Sequence, residues 1–418
     1  MYKNNLMVYQ KIGKAEILAH LQTDYVQGLS GLLEVATTYG FVGDLWHCYL
    51  TFLLVCDENP YSLSCEGKHV VADSLYEIAN ADFAVIKGMF EYDFTELEKK
   101  FQTTGMEALR NYHVESPKGI LNQTMRGQLC ALSKALGEAK SVYKFQKIIS
   151  EHYRLFGVGK FGMHKAFRVV QSSRQQVEIL PITNIAKVRL DDLVGYQSAK
   201  QKLIHNTLAF LQGKPANNCL LYGDAGTGKS SSIKGILNQY FSQGLRIIEL
   251  YKHQFQDLNH VIAQIKNRNY KFIIYMDDLS FEEFETEYKY LKAVIEGGLE
   301  KKPDNVLIYA TSNRRHLIRE TFRDKEDRDE ELHKNDTVQE KHSLFHRFGV
   351  SIYFGAPGKK EFDEIVCALA NRHGIDLPQE ELLLQASRWE MSHGGRSGRT
   401  ARQFIDYYLG THFEMTLK

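Results

Sequence analysis

One short segment of the chain combines glycines, a lysine and a hydroxyl residue at a spacing that suits phosphate binding. Residues 223–230 read Gly-Asp-Ala-Gly-Thr-Gly-Lys-Ser and fit the pattern G-x-x-x-x-G-K-[ST]. The glycines let the backbone curl until its N–H groups face inward on a phosphate. Lys229 would supply a charge for the β- and γ-oxygens of ATP, and Ser230 would offer its hydroxyl to Mg²⁺. The residues that we expect to bind the nucleotide here are Gly223, Asp224, Ala225, Gly226, Thr227, Gly228, Lys229, Ser230 and Ser231.

The residues on either side of this segment favour a strand that leads into a helix. An apolar run at 219–222 precedes it, and Ile233, Ile236 or Leu237, and Tyr240 follow it at helical spacing. The N-terminus of such a helix would direct its dipole at the same phosphates. An ordinary strand-to-helix turn is the alternative interpretation. The flanking elements and the lysine–serine pair together favour the phosphate site.

A second acidic motif follows about fifty residues further along the chain. The run 272–276 is continuously apolar, as a strand buried on both faces should be, and it ends in Asp277 and Asp278. Carboxylates at the C-terminal end of a parallel strand lie beside a phosphate loop. We therefore expect Asp277 to hold the Mg²⁺ and Asp278 to orient the attacking water. A solvated acidic turn is the alternative.

Composition describes an ordinary globular protein of two or three domains. The chain has 418 residues, of which 43% are hydrophobic and 25% charged, and its net charge is +1. This charge gives no argument for nucleic acid or for a membrane surface, although a local basic face stays open. Six cysteines without a C-x-x-C pair indicate thiols in a reducing compartment. The start lacks the apolar core of a secretion signal and the apolar stretch 46–56 is too short to span a bilayer, so we expect a cytoplasmic protein.

The periodicity of apolar residues divides the chain into four parts. Residues from about 13 to 168 show helical spacing, and we predict an all-helical N-terminal domain over residues 1–168. Residues 169–188 lose that spacing and are interpreted as a linker. Strands alternate with helices over 189–355, which predicts a parallel sheet, and 356–418 reads as a small helical lid. The predicted fold is an α/β module with a lid, preceded by an all-α domain.

Two features leave a role in partner binding open. Aromatic residues of the helical region could line a groove for a partner, although core packing produces the same spacing. The segment 317–343 is an unusually charged insertion. It is either a solvated loop or a loop that contacts a partner.

The order of these motifs resembles that of the AAA+ ATPases over about residues 189–410. The resemblance implies that Leu193, Val194 and Gly195 form the pocket for the adenine. It also implies that Asn313, at the end of the next strand, is the polar sensor near the γ-phosphate. A turn cap is the alternative role for an asparagine at a strand end.

The same resemblance assigns roles to arginines and predicts an oligomer, possibly a ring. Arg347 lies in a segment similar to the one that carries the arginine finger, which enters the site of a neighbouring subunit. A surface salt bridge is the alternative, since Arg314 and Arg315 are also available. Arg399 is our choice for the second sensor in the lid, with Arg402 next.

Within the AAA+ ATPases, four segments look like a bacterial subgroup catalogued only as a domain of unknown function. These segments are 210–218, 277–282, 296–300 and 309–317. Two features depart from the wider family. Asp278 stands where most members carry glutamate, which predicts slow turnover, with Glu282 as a further acid. The loop 251–255 lacks the glycine-containing triplet of members that thread polypeptides, and its Lys-His-Phe residues could instead contact a nucleic-acid backbone and stack on a base.

Three functions remain open on the sequence. The leading hypothesis is an ATPase that remodels or loads a protein or nucleic-acid client, which the N-terminal domain selects. The second is a slowly hydrolysing, ATP-dependent switch or scaffold, favoured by the Asp-Asp ending and the missing triplet. A small-molecule kinase is the third, and it is disfavoured because paired lid arginines and a separate finger segment suit communication between subunits better than acceptor binding.

Overall fold

Helices form the first part of the chain, and a sheet flanked by helices forms the second. The computed structural model describes residues 6–67, 71–115, 123–171, 176–281, 287–296, 303–313 and 345–411. Contacts divide the chain into two units. The first comprises Met1–Lys165, Pro181–Asn184 and Asn267–Asn269, and the second comprises Ala166–Leu180, Ile185–Lys266 and Tyr270–Lys418. The all-helical N-terminal region and the α/β module with a lid are both confirmed.

The described residues of Met1–Lys165 in the first unit form helices and the loops between them, apart from an isolated bridge between Gly43 and Tyr112. Its helices are α1 Gln10–Gly13, α2 Glu16–Thr23, α3 Tyr25–Tyr39, α4 Leu45–Cys56, α5 Pro60–Glu66, α6 Asp73–Phe90, α7 Thr95–Phe101, α8 Met106–Arg110, α9 Gln123–Gly137, α10 Val142–Phe156 and α11 Gly159–Met163. No helix of the described residues is long and apolar enough to cross a membrane. All six cysteines are free thiols.

Local signals set the ends of these helices. The carboxylate of Asp24 accepts a hydrogen bond from the N–H of Gln27 at the start of α3, and Gly40 ends that helix at φ +77°. Ser141 caps α10 in the same way. Within α10, Phe145, Ile149 and Tyr153 recur every four residues and are fully buried. Sequence spacing therefore fixes both the helix and the face that packs into the core.

One buried histidine of α10 should make the stability of the first unit depend on pH. Burial lowers the pKa of His152 to about 4. The unfolded chain takes up this proton below about pH 6.5, so the free energy of unfolding falls as the pH drops from that value towards 4. We expect His152→Leu to remove about 3 kcal/mol of this pH dependence in denaturant titrations. The exposed His113→Leu variant should keep the wild-type dependence, and equal slopes for all three proteins would contradict the expectation.

The second unit is built on one seven-stranded sheet in the order β2-β1-β4-β5-β6-β3-β7. The strands are β1 Ala166–Gln171, β2 Val177–Pro181, β3 Cys219–Gly223, β4 Leu245–Glu249, β5 Lys271–Met276, β6 Val306–Ser312 and β7 Val350–Phe354. From β1 to β7 across the sheet, every pairing is parallel. The C-terminal ends of β3, β5 and β6 therefore meet at one edge.

Helices connect and flank these strands. They are α12 Gln197–Leu211, α13 Lys229–Tyr240, α14 Leu258–Ile265, α15 Glu287–Glu296, α16 Lys359–Arg372, α17 Gln379–Ser392 and α18 Gly398–Thr411. The residues of β6 are all buried, as are five of the six in β5, which explains their continuous apolar runs. The last three helices bury a common core that includes Phe362, Val366 and Phe404. They form the lid.

The structure differs from the sequence prediction in the segment 169–188. β1 begins before this segment and β2 lies within it, so much of the predicted linker belongs to the sheet. Phe167, Val169 and Ile179 are buried because these strands cover the outer side of β4. Each strand is only five or six residues long, and polar residues interrupt both, so periodicity alone did not reveal them. The charged insertion 317–343 lies outside the described residues.

Candidate nucleotide site

Three glycines shape the loop between β3 and α13. Gly223, Gly226 and Gly228 have φ values of +129°, +75° and +93°, backbone conformations that residues other than glycine rarely adopt. A Cβ atom on Gly223 would lie 2.1 Å from the carbonyl oxygen of Phe354 in β7. A Cβ atom on Gly226 would lie 2.9 Å from Oγ of Ser397 in the lid. Glycine is therefore needed both for the turn and for the close approach of neighbouring segments.

Lys229 lies inside this loop rather than on the surface. Its side chain is 6% exposed, and Nζ donates hydrogen bonds to the carbonyl oxygens of Gly223 at 2.8 Å and Asp224 at 2.6 Å. Burial lowers the pKa of Lys229, while the carboxylates of Asp224, Asp278 and Asp277 act in the opposite direction. A positive charge is thus held among backbone carbonyls at the N-terminus of α13.

The hydroxyl of Ser230 joins the loop to the acidic end of β5. Its Oγ donates to Oδ1 of Asp277 at 2.7 Å, and Oγ1 of Thr311 donates to the same oxygen at 2.5 Å. Burial by itself would raise the pKa of Asp277, but the hydroxyls of Thr311 and Ser230, which donate to its carboxylate, and the nearby charge of Lys234 hold that pKa below its usual value. Asp277 is therefore an ionised carboxylate next to a serine hydroxyl.

This pair of oxygen ligands fits magnesium in a nucleotide site. Mg²⁺ in such sites takes one or two carboxylates together with phosphate oxygens and water. The described residues contain no group of three or more His, Cys, Asp or Glu side chains that could hold a metal ion by themselves. Ser230 and Asp277 therefore suit a magnesium ion whose remaining ligands come from the nucleotide and from water.

Asp278 is held in a strained backbone conformation beside the sensor asparagine. Its φ is +50°, one of three positive values outside glycine in the described residues. Its N–H donates to Oγ1 of Thr311 at 3.0 Å, and Nδ2 of Asn313 donates to its Oδ1 at 2.8 Å. Such strain persists where the surroundings fix the residue and is common at functional sites. The two residues predicted for the water and the γ-phosphate are thus in direct contact.

The segment predicted for the adenine lies between the phosphate loop and the lid. Cδ2 of Leu193 is 3.4 Å from the position of a Cβ atom on Gly228. Val194 packs against the core of the lid, and Gly195 turns the chain at φ +78°. The buried Lys200 donates from Nζ to the carbonyl oxygen of Leu193 at 2.7 Å, which holds the segment in place.

The two lid arginines occupy different environments at the start of α18. The N–H of Arg399 donates to the carbonyl oxygen of Gly226 at 3.2 Å, and its charge acts on the pKa of Lys229. Arg402 pairs instead with Asp406, at 3.1 Å from Nε to Oδ1. Arg399 is therefore the one that the fold brings to the phosphate loop.

Arg347 lies in the short segment just before β7, the strand that neighbours β3 in the sheet. It precedes β7, whose last residue, Phe354, pairs with Gly223 of the phosphate loop. Since β3 and β7 are parallel, Val350 at the start of β7 lies beside Cys219 at the start of β3. In the same segment the ring of Phe345 contacts the ring of Tyr222, the residue before the phosphate loop, at a centroid distance of 5.4 Å.

A family model described as "Protein of unknown function (DUF815)" matches residues 162–412 of the chain. The chain belongs to this family. The match begins near the end of the first unit and covers the sheet, the phosphate loop and the lid. The DUF815 region is therefore the part of the chain that contains all the candidate site residues.

Two curated relatives match parts of this DUF815 protein. The replication factor C large subunit of Staphylothermus marinus is 36% identical over 77 residues, which is 18% of each protein. The chaperone protein ClpB of Rickettsia conorii is 28% identical over 117 residues, which is 23% of this chain and 13% of ClpB. The chain thus matches less than a fifth of the length of either relative. Together with the family match, these relatives bear out the resemblance to AAA+ ATPases.

Solved structures of Thermotoga maritima RuvB are also similar to the chain. A RuvB mutant is 15% identical and overlaps 54% of this chain and 68% of its own, with a TM-score of 0.38. A second RuvB structure, titled as a Holliday junction branch migration motor, is 13% identical, with coverages of 52% and 71% and a TM-score of 0.33.

Sequence reasoning missed three residues that the DUF815 fold brings to the site. Thr311 contacts both Asp277 and Asp278, Lys200 holds Leu193, and Tyr275 places its hydroxyl beside Ser230, Asp277 and Thr311. Burial and the charge of Asp277 raise the pKa of Tyr275 well above its usual range. A polar residue near the end of an otherwise apolar strand was the available signal for Thr311 and Tyr275.

The loop after β4 differs from its predicted role in nucleic-acid stacking. Phe255 is 2% exposed, and Lys252 lies over the ring of Phe281 with Nζ 5.2 Å from its centroid. Phe255 is a core residue, so the suggestion that it stacks on a base is wrong. The exposed rings are those of Tyr251 and His253, which are parallel within 4° at a centroid distance of 6.0 Å. The proposed roles of Arg314, Arg315 and Glu282 fall on residues outside the described ranges.

Proposed function

We propose that this DUF815 protein is an ATPase that binds Mg-ATP in the loop 223–231 and hydrolyses it at the subunit interfaces of a homo-oligomer. The observation that carries the proposal is the buried Lys229 inside a glycine loop whose Ser230 is bonded to Asp277. These residues fit the nucleotide because the loop offers backbone N–H groups and an ammonium to phosphate, and two oxygen ligands to the metal.

Each side chain of the site has a distinct task in this proposal. Bound Mg-ATP supplies the phosphoanhydride bond that is cleaved. Lys229 exchanges its two carbonyl partners for phosphate oxygens, while Ser230 and Asp277 hold the metal. Asp278 orients the water and accepts its proton, and Asn313 fixes the Asp278 carboxylate through the 2.8 Å hydrogen bond.

The arginines extend the proposal to a neighbouring subunit. Arg399 reaches the phosphates from the lid, next to Gly226. Arg347 lies in the segment before β7, and the resemblance to AAA+ ATPases supports its entry into the site of a second copy. An arginine in that role neutralises the charge that develops on the γ-phosphoryl group. We therefore propose a homo-oligomer with shared sites, located in the cytoplasm.

The output of this ATPase is proposed to be the remodelling or loading of a protein or nucleic-acid client that the helical N-terminal region selects. A slow switch or scaffold is the second candidate, and one observation favours it. The short side chain of Asp278 already accepts a hydrogen bond from Asn313 at Oδ1, so Asn313 competes with water for that oxygen. State-dependent assembly with negligible turnover, measured by sedimentation in ATP and in ADP, would favour the switch.

Calorimetric titration of nucleotide-stripped protein with Mg-ATP tests the phosphate site. We expect Lys229→Ala to bind about 10- to 100-fold more weakly than wild type, because hydrogen bonds from a charged donor to phosphate are lost. The matched control is Lys202→Ala, an exposed lysine of α12, which should bind like wild type. Absence of any magnesium-dependent binding by folded wild-type protein would contradict the proposed function.

A further inference from the structure

Tyr275 is a buried residue whose hydroxyl forms no hydrogen bond with the residues that the structure describes. It lies near the end of β5, is 4% exposed, and its oxygen is shielded from solvent. Successive side chains of a strand alternate between its faces, so Tyr275 points to the same side as Asp277, two residues later. The side chains around its hydroxyl are those of Ser230, Asp277 and Thr311. A polar group is therefore aimed, without a partner, at the two proposed metal ligands.

This arrangement is unfavourable unless the hydroxyl gains a partner. Burying a hydroxyl without a hydrogen bond destabilises a fold, and phenylalanine would fill the same space in an apolar strand at no such cost. The neighbouring strand offers a direct comparison, since Tyr309 of β6 pairs in register with Tyr275. The buried hydroxyl of Tyr309 bonds to Asn206 at 2.9 Å and to Thr207 at 3.0 Å. We therefore expect the hydroxyl of Tyr275 to form a hydrogen bond when the site binds its ligand.

We propose that Tyr275 is a positioning residue for the metal site, and that its hydroxyl donates a hydrogen bond to the Asp277 carboxylate when magnesium and nucleotide bind. This inference rests on the proposed Mg-ATP site. Oδ1 of Asp277 accepts from Ser230 and Thr311, and no hydrogen bond of a described residue occupies Oδ2. A donor on Oδ2, added to Thr311 on Oδ1, would fix the plane of the carboxylate that holds the cation.

Two measurements on Tyr275→Phe test this role. The first is the affinity for ADP by calorimetry, with magnesium and in chelator. We expect the affinity in chelator to equal that of wild type, and the gain in affinity that magnesium brings to fall about tenfold, because a hydrogen bond to a charged group is lost. The second is the melting temperature of the nucleotide-free protein, which should stay equal to that of wild type or rise, since no hydrogen bond is removed in that state.

Tyr309→Phe is the matched control, because it deletes a buried hydroxyl that is already hydrogen-bonded. It should lower the melting temperature of the nucleotide-free protein and leave the magnesium-dependent gain unchanged. A wild-type gain that persists in full in Tyr275→Phe overturns the inference alone. A lower melting temperature of nucleotide-free Tyr275→Phe also overturns it, because the hydroxyl would then have a partner before nucleotide binds. If wild-type protein itself shows no magnesium-dependent gain, the proposed function fails instead.

Discussion

Asp278→Asn should bind Mg-ATP with nearly wild-type affinity and hydrolyse it about 100-fold more slowly or worse. An amide cannot accept the proton of the attacking water, and general-base catalysis of this kind contributes about 10²- to 10⁴-fold. Asparagine suits this position structurally, because it tolerates the left-handed backbone at φ +50° as well as aspartate does. Steady-state phosphate release and calorimetric binding of ATP, measured on the same preparation, separate the two effects.

The matched control is Asp376→Asn, which alters an exposed carboxylate in the lid and should hydrolyse ATP like wild type. Asp278→Glu adds a methylene that moves the carboxylate towards the water, so we expect its turnover to match or exceed that of wild type. Melting temperatures show whether glutamate is tolerated at the strained position. Unchanged hydrolysis in Asp278→Asn would remove Asp278 from the mechanism.

The phosphate loop and the acidic strand end were predictable because their chemistry is local. Three glycines, Lys229 and Ser230 lie within eight residues and together indicate phosphate binding, and the apolar run before Asp277 identifies a buried strand without any knowledge of its neighbours. The lid helices were found for the same reason, since each carries its own apolar face. Features that depend only on residues close together in the sequence could therefore be predicted.

The contacts that complete the site could not be predicted, because they depend on the order of the strands. β6 lies between β3 and β5, so Thr311 reaches Asp277 and Asp278 across 34 and 33 positions of sequence. No pattern within β6 distinguishes a threonine that packs from one that bridges two carboxylate residues. The unpaired hydroxyl of Tyr275 could not be predicted either, because the sequence does not show that it lacks a partner while the hydroxyl of Tyr309 has one.

The short strands β1 and β2 illustrate a second limit. Val169 and Ile179 are buried because β1 pairs with β4, which lies far along the chain. The sequence of each strand, taken alone, has too few apolar residues to show the alternation that is typical of a strand. Pairing thus gave structure to a segment that was interpreted as a linker, and the family match from residue 162 is consistent with counting these strands in the α/β unit.

Arg347→Ala should lower ATP turnover about 1,000-fold while leaving ATP binding to the isolated subunit unchanged. Arginine fingers contribute about 10³- to 10⁵-fold by neutralising charge on the departing phosphoryl group. We propose that Arg347 acts on a second copy, as the resemblance to AAA+ ATPases implies. The loss should therefore appear only in turnover, measured at concentrations where the oligomer forms. Arg388→Ala, at an exposed arginine of the lid, is the matched control and should stay fully active.

Mixing two inactive variants distinguishes a shared site from an arginine that acts within its own subunit. Lys229→Ala lacks a working phosphate loop but keeps Arg347, and Arg347→Ala has the reverse defect. In a one-to-one mixture that assembles at random, about a quarter of the interfaces join an intact loop to an intact arginine, so turnover should recover to about that fraction. An arginine that acts in cis gives no recovery at any ratio. Recovery that disappears on dilution below the assembly concentration would show that the rescue requires contact between copies, whereas failure to recover in confirmed mixed oligomers would contradict the sharing of sites.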